Sequence, residues 1–163
     1  MRGMIRALAV LALLLAPLPV LAQSSLPDRD LTPGAFNPAV TRANITDTIC
    51  VRGWTRTVRP PRRFTSRLKR WQIRQYGYRD RRMSQYEEDH LIPLDLGGAP
   101  ADPRNLWPQP RHPRDGWTAG RKDELEAAMV RLVCAGEVPL DVARRAMAQD
   151  WQRAYRRYVD QGR

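Results

Sequence analysis

The chain has 163 residues, with 28 Lys and Arg against 17 Asp and Glu, a net charge of +11 and a sequence pI near 10.9. That length suits one domain with a sizeable core. Two cysteines are too few for a disulfide-dense scaffold, and beyond residue 22 no stretch is apolar enough to span a bilayer.

Residues 1–22 pair Arg2 and Arg6 with the apolar run Ala7 to Leu15 and end on small Val20 and Ala22, the pattern of a secretory signal peptide. A membrane anchor is the rival reading, but Pro17 and Pro19 interrupt a stretch already shorter than the roughly 20 residues a span needs. Cleavage after Ala22 removes two arginines and no acid, which takes the charge from +11 to +9. Export to the periplasm or beyond follows from this reading. An oxidising compartment then favours a Cys50–Cys134 bridge over two buried thiols, and no CxxC or HxxxH spacing supports a zinc site with His90 and His112.

Residues 23–40 mix Pro27, Pro33, Gly34 and Pro38 with Ser, Asp and Asn, have no hydrophobic period, and read as a flexible leader. The main domain is expected over 41–163, and Thr41 to Val51 is expected to form a short helix and then a strand. From Arg52 to Arg82 there are twelve basic residues and a single acid, Asp80, interleaved with Trp54, Phe64, Trp71, Tyr76 and Tyr78. Cations beside flat rings suit a polyphosphate whose backbone sheds counterions and whose exposed bases stack. Anionic lipid would satisfy the same charge, and Leu68, Trp71 and Tyr76 could equally be the buried face of a helix. The expected phosphate contacts within this arm are Arg62, Arg63, Arg67, Lys69 and Arg70.

Farther on, Glu88 to Pro93 reads as a strand, Gly97-Gly98 as a tight turn and Asn105-Leu106-Trp107 as the opening of a return strand. Leu125, Ala128, Met129, Leu132 and Val133 then recur on one helical face between Gly120 and Ala135, with Thr118 as candidate N-cap and Gly136 as stop. A last helix is expected over 140–159, its apolar side formed by Leu140, Ala143, Met147, Trp151, Ala154, Tyr155 and Tyr158. The two helices should pack as a hairpin, with these aromatic rings in the core.

The run Asp89-His90-Leu91-Ile92-Pro93-Leu94, followed by Gly97-Gly98 and Asn105-Leu106, resembles the HNH endonucleases, or ββα-metal nucleases, over about residues 86–126. Thr48-Ile49-Cys50, Leu106-Trp107-Pro108, Val133-Cys134-Ala135-Gly136 and Asp150-Trp151 are also similar to a group of small exported bacterial HNH-like proteins. The resemblance implies an α+β fold: a ββα-metal core, a short hairpin plus helix over 86–135, with an additional C-terminal helix and a basic N-terminal segment over 52–82. It implies His90 as general base, Asp89 as metal ligand, and Asn105 as the residue that braces the loop and orients the histidine.

Phosphodiester hydrolysis needs an activated water and relief of phosphate charge, and an imidazole titrating near neutrality suits the first task. Adjacent strand residues point to opposite faces, so Asp89 and His90 act together only if the strand end is distorted. Where the family has a His or Asn ligand on the following helix, this chain has none. Asp123 is one replacement and His112, in the Pro108 to Pro113 loop, is another. A site with a single carboxylate and several waters is the third. Oxygen ligands imply magnesium or manganese. Lys122 would either contact the scissile phosphate or face solvent.

The function implied is an exported, metal-dependent nuclease. It would act on DNA ahead of RNA and with little sequence preference, because charge and stacking carry no base code. The rival is a catalytically inactive HNH-like protein that binds nucleic acid or envelope polyanions through the same arm.

Overall fold

The computed structural model describes residues 24–161, so the expected signal peptide lies outside the described residues. Among them the fold is α+β, with four α-helices around one two-stranded antiparallel sheet. The helices are α1 (Thr55–Val58), α2 (Arg62–Gln75), α3 (Ala119–Cys134) and α4 (Leu140–Tyr155), and the strands are β1 (Tyr86–His90) and β2 (Leu106–Pro110). No helix among the described residues is long and apolar enough to cross a membrane.

β1 pairs with β2 in the register Tyr86↔Pro110, Glu88↔Pro108 and His90↔Leu106. The strand therefore lies earlier than the Glu88 to Pro93 expected, because the Ile92 N–H is taken by the side chain of Asn105 and not by a ladder partner. Pro108 and Pro110 are tolerated in β2 because a two-stranded sheet leaves each strand a free edge that needs no donor.

Trp107, Leu125, Met129, Met147 and Trp151 form the centre of the main core, where the hairpin, α3 and α4 meet. The two long helices contact each other across the turn after Cys134. Gly136 has φ +77°, a left-handed conformation that lets Glu137 N–H reach back to Leu132 O at 2.9 Å and stops α3 where expected. Trp151 and Tyr155 are buried, as their spacing predicts. α4 is not continuous to residue 159, since Asp150 is extended (φ −168°, ψ 92°) and its Oδ1 accepts from Arg153 N–H at 2.9 Å, restarting the helix. The end is a π-turn over Arg156–Asp160.

Cys50 and Cys134 form a disulfide with Cα atoms 5.7 Å apart, tying the segment before α1 to the end of α3. That segment holds only a 3₁₀ turn, Ile45–Asp47, with no strand following it.

The leader reading over 23–40 needs correction, because residues 24–40 are built into the fold. Ser25 and Thr32 are buried, and Ser25 O accepts from Trp151 Nε1 at 3.2 Å. Thr32 Oγ1 meets Tyr76 Oη at 2.6 Å, and Ala99 N–H donates to Ala35 O at 2.9 Å. The segment lacks periodicity because it satisfies its backbone groups on loops and side chains instead of in a helix or ladder.

Candidate functional site at the end of the first strand

His90 is the last residue of β1, 8% exposed, with Nε2 2.9 Å from Pro100 O. A carbonyl only accepts, so Nε2 carries the hydrogen and Nδ1 is the proton-accepting atom of the neutral ring. Burial holds the imidazole below its ordinary pKa, and Lys122 and Arg59 add to this, while the Pro100 bond and Asp89 act in the opposite direction. The imidazole is therefore neutral at physiological pH.

Asn105 is fully buried and spends its amide on the loop after β1 and on Ala35 of the N-terminal segment. Nδ2 donates to Ile92 O at 3.0 Å and Ala99 O at 3.1 Å, while Oδ1 accepts from Ile92 N–H at 2.9 Å and Ala35 N–H at 3.4 Å. Gly98 allows this close packing, since a Cβ there would collide with Ile92 O and crowd Asn105 Nδ2. Asn105 thus shapes the loop that carries Pro100 and makes no hydrogen bond to the imidazole itself.

The ladder runs unbroken through Asp89↔Trp107 and His90↔Leu106, so the strand end shows none of the distortion that joint action of Asp89 and His90 requires. By alternation Tyr86, Glu88 and His90 share one face of β1, and Glu87 and Asp89 the other. The first face meets α2: Tyr86 packs with Ile73 and Tyr78, and Lys69 Nζ donates to Met83 O at 3.1 Å and Tyr86 O at 3.0 Å. The Glu88 carboxyl lies on this side with both oxygens buried and without a hydrogen-bond partner. Burial pushes it up to about 8, opposed by the Lys69 charge and reinforced by that of Asp89.

On the other face Lys122, at 1% exposure the most deeply buried charge of the site, places Nζ 2.8 Å from Asp89 Oδ2. The same ammonium donates to His90 O at 2.8 Å and to Glu126 Oε1 at 2.5 Å. Burial works against the charged form, yet Asp89 and Glu126 hold the ammonium above its ordinary pKa. Asp123 is exposed, its carboxyl raised by partial burial and by the charge of Asp89. His112 is exposed in the turn after β2. Among the described residues there is no group of three or more His, Cys, Asp or Glu side chains that could hold a metal ion. In the donor set drawn from the sequence, Asp89 Oδ2 is taken up by the ion pair with Lys122.

Two of the expected phosphate contacts are corrected in the same way. Lys69 and Lys122 turn inward onto main-chain oxygens and carboxylates, whereas Arg62, Arg63, Arg67 and Arg70 are exposed on α2. The buried side of α2 is formed by Gln72 and Ile73, and Gln72 Nε2 donates to Leu106 O at 2.5 Å. Trp71 is 50% exposed and with Phe64, Arg67 and Leu68 lines a shallow surface depression, so this ring is not core. Glu126 was missed, although its place four residues after Lys122 is the spacing of a helical ion pair. The role of Pro100 O had no signal in side-chain chemistry. No family model, no curated protein and no solved structure matches the chain.

Proposed function

We propose that the protein is an exported nuclease that hydrolyses phosphodiester bonds of nucleic acid with little sequence preference, with His90 as general base. The observation that carries this reading is the His90 imidazole: tautomer set by Pro100 O, kept neutral by burial, and on the strand face that meets the basic helix α2. A neutral imidazole with a fixed Nε2–H can take a proton from water at Nδ1. Arg59, whose charge lowers the His90 pKa, would offset the phosphate charge there. Asn105 would be a positioning residue that keeps the Pro100 carbonyl in place.

Along α2, Arg62, Arg63, Arg67 and Arg70 with the exposed Trp71 ring form a surface without an acid, suited to a polyphosphate with stackable bases. A hairpin followed by a helix, in the chain order of a ββα-metal core, supports the HNH resemblance. The magnesium or manganese of that resemblance is not carried into the mechanism, since Asp89 is held by Lys122. The disulfide supports export. The buried Lys122–Asp89 pair also favours a second reading, a binding protein without catalysis on the same basic surface.

Mature protein incubated with labelled single-stranded and duplex oligonucleotides of DNA and RNA tests the proposal. Shortened products that disappear with a folded His90→Ala variant are expected. Salt-sensitive binding with every strand intact would favour the binding protein.

A further inference from the structure

We propose that the ammonium of Lys122 is the permanent cation of the Asp89 site, standing where the HNH resemblance puts a divalent metal. The ammonium donates to His90 O at 2.8 Å and Glu126 Oε1 at 2.5 Å, and forms an ion pair with Asp89 Oδ2 at 2.8 Å. These three groups come from two elements, so the lysine clamps α3 to the end of β1 as a bound ion would. Its 1% exposure matters to the chemistry, because the charge can neither swing out to solvent nor leave without stranding two partly buried carboxylates.

A divalent ion on the same Asp89 oxygen would lie against a buried positive charge, and the repulsion is weakly screened at that depth. The remaining carboxylate, Asp123, is exposed and has no ion pair with Lys122. Lys122 is therefore a positioning residue for Asp89 and for the backbone of His90. The assignment rests on the contacts of Lys122 and not on cleavage, so it stands or falls apart from the proposed function.

Calorimetric titration of the mature protein with Mn²⁺, with melting curves in Mn²⁺ and in EDTA, tests it on the wild type, Asp89→Asn and Lys122→Met. The wild type should give a flat titration into the millimolar range and the same melting temperature in both solutions. Lys122→Met leaves Asp89 and Glu126 without their cation and should gain saturable Mn²⁺ binding and a melting temperature that rises with the ion. One Mn²⁺ per wild-type chain, lost in Asp89→Asn, would overturn the proposal. So would a folded Lys122→Met variant that binds no Mn²⁺. If Lys122→Met fails to fold, the comparison of wild type with Asp89→Asn still decides.

Discussion

Asn105 and His90 are tied to successive carbonyls of one loop: Asn105 Nδ2 donates to Ala99 O at 3.1 Å, and His90 Nε2 donates to Pro100 O at 2.9 Å. The orientation of the imidazole therefore depends on an amide that never touches it. Asn105→Ala should cost about 2–4 kcal/mol in chemical denaturation, since several buried hydrogen bonds are lost and main-chain groups are left unpaired. Asn105→Asp should cost more, because it turns an acceptor toward the Ile92 and Ala99 carbonyls. In either variant the His90 pKa, followed by NMR, should move toward its unperturbed value as the loop loosens.

Glu88 makes stability depend on pH with a definite sign. Its carboxyl is raised from 4.5 to about 8 in the folded state, so between those values the unfolded chain loses a proton that the folded chain keeps. This contribution is fully present below about 4.5 and declines as pH rises toward 8, by up to a few kcal/mol. Glu88→Gln should flatten that slope and be more stable than the wild type at pH 8. Urea unfolding at several pH values would measure both effects.

The two kinds of lysine and arginine on α2 should separate by salt dependence. Arg67→Ala and Arg70→Ala should each weaken nucleic-acid binding and reduce the slope of log K against log salt by about 1. Lys69→Ala should leave that slope unchanged and lower the melting temperature, because its ammonium serves Met83 O and Tyr86 O. Trp71→Ala should cost about 1–3 kcal/mol in binding single strands and little in binding duplex, whose bases are not free to stack.

The Cys50–Cys134 bridge closes a sequence separation of 84 residues. Replacing both cysteines with serine should destabilise the fold by about 4.5 kcal/mol, as expected for a loop of that length, and should lower the melting temperature. An unchanged melting curve would show that the bridge adds nothing to stability.

What the chain order of residues discloses follows periodicity and local chemistry. The helices α3 and α4, their buried aromatics and the stop at Gly136 were legible because an apolar stripe at helical spacing allows few alternatives. Asn105 as a loop brace followed from the HNH resemblance and not from local chemistry, whereas Gly98 was legible as a turn residue. Lys69 and Lys122 were not, because a lysine destined for a buried oxygen cage looks the same in sequence as one facing solvent. Only the spacing of Lys122 and Glu126 hinted otherwise. Trp71 was ambiguous for the converse reason: Leu68, Trp71 and Tyr76 offered a buried face, while Gln72 and Ile73 form the one that is used. The fold of residues 24–40 is not legible in the sequence, because hydrogen bonds to distant loops leave no period there.

The most direct test of His90 as a general base is the rate of supercoiled plasmid nicking against pH, for the wild type and a folded His90→Ala variant, in EDTA and in Mg²⁺. The expected result is wild-type nicking in both solutions, level at neutral pH, with an acid limb below 6.5 because burial lowers the His90 pKa. The variant should lack activity at every pH. Intact plasmid with the wild type at every pH and in both solutions, or nicking by His90→Ala at the wild-type rate, would contradict it.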